Sequence, residues 1–135
     1  MAYGSVAVDT INTSTGVFVN NNAVTGIAKA WVNFNGASGA SPVVRASFNV
    51  SSVTRNGTGD YTLAYTNAMT DANYAVTGMG QFNAGGDIYG ALIICLTSSI
   101  SPPITTTSAR IKTMYASGSG SQVDCAYGCV AVFGN

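Results

Sequence analysis

Apolar and polar residues alternate with a period of two along most of the chain. Over residues 60–66, Tyr61, Leu63 and Tyr65 fall on one side and Thr62, Ala64 and Thr66 on the other, the pattern of a strand with one side in water. The same alternation groups Lys29, Trp31 and Asn33 opposite Ala30, Val32 and Phe34. Runs rich in β-branched and aromatic residues recur between clusters of Gly, Pro, Asn and Ser, which favours strands over helices. The pattern predicts strands over residues 5–11, 27–34, 43–50, 52–55, 60–66, 74–82, 89–97, 107–116 and 124–133. Turns are expected at 56–59, 83–87, 101–103 and 117–121, where Gly or Pro supplies a positive or fixed φ. Strands at roughly ten-residue spacing predict an all-β, antiparallel β-sandwich of jelly-roll-like form.

Two runs break the alternation. Residues 91–96 (ALIICL) and 129–133 (CVAVF) are apolar at both parities, so these strands need cover on both faces. No segment reads as a helix that could supply it. One source of cover is another copy of the chain, since most soluble oligomers are closed homo-oligomers. This makes Ile93, Ile94, Val130 and Val132 candidate subunit-interface residues, and Trp31 joins them on the separate reading that it packs against a neighbouring subunit. The alternative is that both strands form the centre of the sandwich and are shielded by loops.

Charge narrows the function classes. The 135-residue chain has five basic and five acidic side chains and a net charge of zero. The basic residues Lys29, Arg45, Arg55, Arg110 and Lys112 are scattered, without the basic face that binding to phosphates requires. No nucleic-acid partner is expected. The longest apolar run is far shorter than the about 18 residues of a membrane span, and the first residues lack the basic start and apolar core of a signal peptide. The expectation is a soluble product with no membrane insertion. Three cysteines, an odd number, do not make a disulfide scaffold. Hydrophilicity comes from Ser, Thr, Asn and Gly instead of charge. A nearly neutral chain with exposed strand edges is prone to edge pairing unless an assembly closes those edges.

Candidate chemistry is sparse. Histidine and glutamate are absent, so no Ser-His-Asp or Cys-His arrangement can form. Only Asp9, Asp60, Asp71, Asp87 and Asp124 could act as a carboxylate pair, and no enzymatic activity is expected. A structural zinc site wants four Cys or His ligands, and the chain offers three in all; neither metal nor cofactor is expected. In an extended strand Cys125 and Cys129 would lie about 13 Å apart, reading as small core residues, whereas a tight turn at Tyr127–Gly128 would leave a disulfide open. Trp31 with Lys29 and Asn33 could stack on a sugar; the plainer reading packs it against a second sheet or a neighbouring subunit. Arg55 and Asp60 flank the Asn56-Gly57-Thr58-Gly59 turn. They read as a pair across the hairpin that fixes register and keeps Tyr61, Leu63 and Tyr65 inward.

The stretches AKAWVNFNG (28–36) and VRASFNVSSVTRNGTGDYTLAYTNAMTDANYAVTG (44–78) resemble a module of tailed-bacteriophage virion proteins of the tail-fibre type. Residues 2–11, AYGSVAVDTI, look like the opening of short fibre-like proteins of cyanobacterial phages. The resemblance implies a virion component, usually homotrimeric, without enzymatic chemistry. It implies that residues 1–26 form an extended arm anchoring to other virion proteins, and that residues 27–135 form the displayed domain. Polar, glycine-rich loops bearing Asn83, Gly85, Asp87, Ser119 and Gln122 are the candidates to face a host surface glycan or outer-membrane protein. The alternative implied role is a capsid or tail decoration or adaptor protein without a receptor.

Overall fold

The computed structural model describes residues 10–13, 16–19, 26–37, 39, 41–82, 91–96, 101–115 and 120–134; of residues 10–13, 16–19 and 91–96 the backbone alone is described. The elements are β1 (Thr10–Thr13), β2 (Gly16–Val19), β3 (Ala30–Asn35), β4 (Val43–Phe48), β5 (Val50–Gly57), β6 (Asp60–Tyr65), β7 (Ala75–Gln81), β8 (Ala91–Leu96), β9 (Ser108–Tyr115) and β10 (Tyr127–Phe133). β1 and β2 pair as a separate hairpin. The other eight form one antiparallel sheet in the order β4-β3-β10-β7-β8-β9-β6-β5.

That sheet is folded over. β3 and β6 stand five places apart in it, which in a flat sheet would separate them by about 24 Å. Yet Phe34 of β3 meets Tyr61 of β6 edge-to-face with ring centroids 5.1 Å apart. The two halves therefore face each other, and the chain is all-β and antiparallel, consistent with a β-sandwich. Between the layers lie Ala30, Val32 and Phe34 of β3, Val130 and Val132 of β10, Tyr61, Leu63 and Tyr65 of β6, and Ala109 and Ile111 of β9. At one end of the core the Tyr65 hydroxyl contacts that of Tyr74 at 3.2 Å, and Tyr74 reaches the Thr105 carbonyl at 2.7 Å.

The fold-over settles how β10 is covered. Val130 and Val132, expected at a subunit interface, are buried in the core of their own chain. Cover for that side comes from the second layer, because the strands of the opposite half supply the apolar side chains it needs. The other side of β10, with Tyr127, Cys129, Ala131 and Phe133, turns outward. In β8, Ile93 stands opposite Met79 and Ile94 opposite Thr113; their side chains lie outside the described residues.

Two local differences from the predicted elements have physical causes. The expected strand at 43–50 breaks at Asn49, which takes φ +55°, a left-handed conformation that asparagine tolerates. Its Oδ1 accepts from Asn67 N–H at 2.8 Å and its Nδ2 donates to the Lys29 carbonyl at 3.0 Å. These bonds brace the corner between β4 and β5, the two ends of the sheet. The second difference lies near the N-terminus. Residues 5–9 of the expected strand 5–11 lie outside the described residues, and the hairpin of β1 with β2 falls largely beyond it.

Candidate functional site

Two features stand out: a carboxylate clamp at the β5–β6 hairpin and an apolar outer sheet face. The clamp centres on Asp124, in the segment leading into β10. Its carboxylate accepts from Arg55 Nε at 3.0 and 3.1 Å, Arg55 Nη2 at 2.9 Å, Gly59 N–H at 2.8 Å and the Tyr61 hydroxyl at 2.7 Å. Gly59 makes this approach possible. It has φ +62°, and a Cβ there would lie 2.6 Å from the Thr113 carbonyl oxygen and 2.7 Å from Val123 N. Only glycine fits so close to another backbone.

Arg55 and Asp60 are therefore not a pair, contrary to the sequence expectation. Arg55 stands opposite Tyr61, and Asp60 opposite Gly57 across a bulge. Asp60 binds Arg110 of β9 instead, through Nε at 2.8 Å and Nη2 at 3.0 Å. Each residue thus ties the hairpin to a different neighbour, Arg55 to the segment before β10 and Asp60 to β9. The pairing missed in the sequence involves partners 69 and 50 residues away, and no local spacing signals it.

The electrostatics follow from this geometry. Hydrogen bonds from Arg110 hold the Asp60 carboxyl below the usual carboxylate range against the cost of burial. At Asp124, burial opposes ionisation most strongly, but Arg55, Gly59 N–H and the Tyr61 hydroxyl together outweigh it and lower the carboxyl. Burial pushes the Tyr61 and Tyr65 phenols up. The Cys125 thiol is also raised by burial. Both carboxylates are engaged by these donors, so the arrangement braces the fold and offers no poised acid–base pair. Among the described residues no three of His, Cys, Asp and Glu gather where a metal could sit, and no helix is long and apolar enough to cross a membrane.

The second feature lies on the opposite side of the β4-β3-β10-β7 layer from the core. Cross-strand partners share a face, so the ladder Phe48↔Trp31↔Ala131↔Thr77 and its neighbour Ala46↔Asn33↔Cys129↔Met79 both face outward. Trp31 is 41% exposed and Met79 71%. Between them, over the small side chains of Cys129 and Ala131, runs an open channel of about 500 Å³ that is predominantly apolar. Arg45 of β4 lies on the same outer face. Its guanidinium lies 4.2 Å from the centre of the Tyr127 ring and donates to Asn33 Oδ1 at 3.2 Å and to the Ala126 carbonyl at 2.8 Å.

The remaining expectations map onto this picture unevenly. Trp31 lies on the face that alternation assigned to it. Asn33 is engaged by Arg45, and the channel beside Trp31 is apolar, which suits an apolar contact better than a sugar. Cys125 is buried, Cys129 is exposed and both are free thiols; the expectation of two core cysteines holds for Cys125 alone, because Cys129 belongs to the outward row of β10. Asn83, Gly85, Asp87 and Ser119 lie outside the described residues. Gln122 is exposed, but its backbone forms an antiparallel bridge to Met114. Met79, Phe48 and Arg45 escaped the sequence reading; the only available signal for Met79 was its position in a strand. No family model, curated protein or solved structure matches the chain.

Proposed function

We propose that this chain is a non-enzymatic structural protein of a tailed-phage virion, a homotrimeric fibre or fibre-tip module contributing to host attachment. Residues 1–26 serve as the arm that binds other virion proteins, and residues 27–135 form a jelly-roll-like displayed domain. The observation that carries the reading is the outward face with Phe48, Trp31, Met79 and Tyr127 exposed on a chain with so few charges. Four strands about 4.8 Å apart and about 20 Å long give this face a flat footprint on the order of 400 Å². Apolar patches of about 300–600 Å² are the largest that monomers ordinarily show and often mark a contact surface. Burial against sister copies removes the patch from water. A composition without histidine or glutamate suits a scaffold better than a hydrolase.

The virion role is tested by mass spectrometry of particles purified after infection of cells that express the tagged full chain. Stoichiometric incorporation, lost on deletion of residues 1–26, is the expected result; a chain left wholly in the lysate contradicts it. The decoration or adaptor reading differs in one respect. It expects incorporation without binding of the full chain to host cells, whereas a fibre tip binds them through many weak contacts multiplied by copies.

A further inference from the structure

The eight-stranded sheet ends in two unlike edges. β5 turns Ser51, Ser52 and Thr54 to solvent. β4 is exposed at all six positions, with Val43 at 54% and Val44 at 39%. Among the described residues no strand pairs with its outer side. Soluble proteins blunt such an edge with charge, proline or a covering segment. Arg45, the one charged residue of β4, does not do this. Its guanidinium is drawn inward over the sheet face onto Tyr127, Asn33 and Ala126.

The order of facings along β4 singles out a partner. Val43, Val44, Ala46, Ser47 and Phe48 stand opposite Asn35, Phe34, Asn33, Val32 and Trp31. Phe34 and Val32 point into the core, so Val44 and Ser47 lie on the inner side, and Val43, Ala46 and Phe48 lie on the outer side. The register shifts between Asn33 and Phe34, which leaves Arg45 as the additional residue of the bulge, and its contacts place it on the outer side too. Read in sequence, the facings are outer, inner, outer, outer, inner, outer. The order is the same from either end.

We propose that β4 pairs antiparallel with β4 of a second copy about a twofold axis between Arg45 and Ala46. Val43 then faces the partner's Phe48, and Val44 faces the partner's Ser47. Every cross-strand pair matches side for side. A shift of one residue sets inner positions against outer ones, and a regular six-residue strand would mismatch at this axis, so the bulge selects the register. The two Arg45 guanidinium groups stay apart because each is held over its own β10. The inference rests on the reading of the chain as a self-assembling virion protein, but it adds a contact separate from the outer face.

The test is disulfide trapping in the full chain carrying Cys129→Ser, Val43→Cys and Phe48→Cys. Within one strand positions 43 and 48 lie about 16 Å apart, too far to bond, so a disulfide between them must join two copies. Under mild oxidation the double cysteine variant is expected to form a covalent dimer, while Val43→Cys or Phe48→Cys alone forms little. Single variants that cross-link as fast as the pair, or no dimer from a folded pair, overturn the proposal. Val44→Lys, on the inner side of the edge and away from the outer face, provides an independent check. Sedimentation should show its assembly mass at half that of the wild-type chain, and an unchanged mass overturns the proposal. No covalent dimer from the folded double cysteine variant and an unchanged mass for Val44→Lys, with particle incorporation retained, sink this inference and leave the virion role standing.

Discussion

Asp124 gathers donors from three other parts of the chain: the end of β5, the β5–β6 turn and the first turn of β6 into the core. Removing it leaves the Tyr61 hydroxyl and Gly59 N–H without their acceptor, and each unmatched buried donor costs about 1–3 kcal/mol. Asp124→Ala is therefore expected to lower unfolding stability by about 3 kcal/mol in urea titrations. A loss under about 1 kcal/mol would show that the clamp is not central. The pH dependence has a definite sign. Asp60 and Asp124 both ionise more readily in the folded chain than usual. Their contribution is fully present above the unfolded carboxyl pKa of about 3.9 and is lost as pH falls through that value towards the lower folded ones. Stability should be flat from neutral pH to about pH 5 and decline below it, and Asp124→Asn should flatten that decline.

At the scale of elements, β10 shows how much alternation can and cannot tell. The strand is apolar at both parities, and the sequence shows that both sides need cover. It cannot show that one side is covered from within, because that depends on the sheet folding until β3 and β10 face β6 and β9. The two rows should accordingly respond differently to substitution. Val130→Ala, on the buried row, should cost about 2 kcal/mol of unfolding stability. Met79→Ser, beside the outer row, should leave the stability of the isolated subunit within about 0.5 kcal/mol while weakening self-association. Equal effects from the two variants would contradict this assignment of faces. Most strand positions were legible because Tyr61, Leu63 and Tyr65, or Ala30, Val32 and Phe34, repeat at a clean period of two. The corner at Asn49 was not, since a lone asparagine between two β-rich runs takes the left-handed conformation only once Asn67 and Lys29 are there to bind it. The same holds for the ion pairs: the turn put Arg55 and Asp60 close in sequence, but each found a partner that only the folded sheet brings near.

At the scale of the whole molecule, one surface stands apart. Folding gives this chain a buried core with no buried side-chain polar atom left unmatched among the described residues, and it still leaves Trp31, Met79, Phe48 and Tyr127 in water. A homotrimer, or any closed assembly, gains by covering them, and the near absence of surface charge removes the repulsion that would oppose it. Trp31 is the sole tryptophan and stands at the centre of that surface, which makes its fluorescence a direct reporter. The decisive measurement is acrylamide quenching of Trp31 across a concentration series, read beside sedimentation of the same samples. Quenching that falls as the assembly forms, and stays high in Met79→Ser at the same concentration, is the expected result. Tryptophan emission that remains equally quenchable at every concentration, from a chain that sediments as a monomer throughout, would contradict the account.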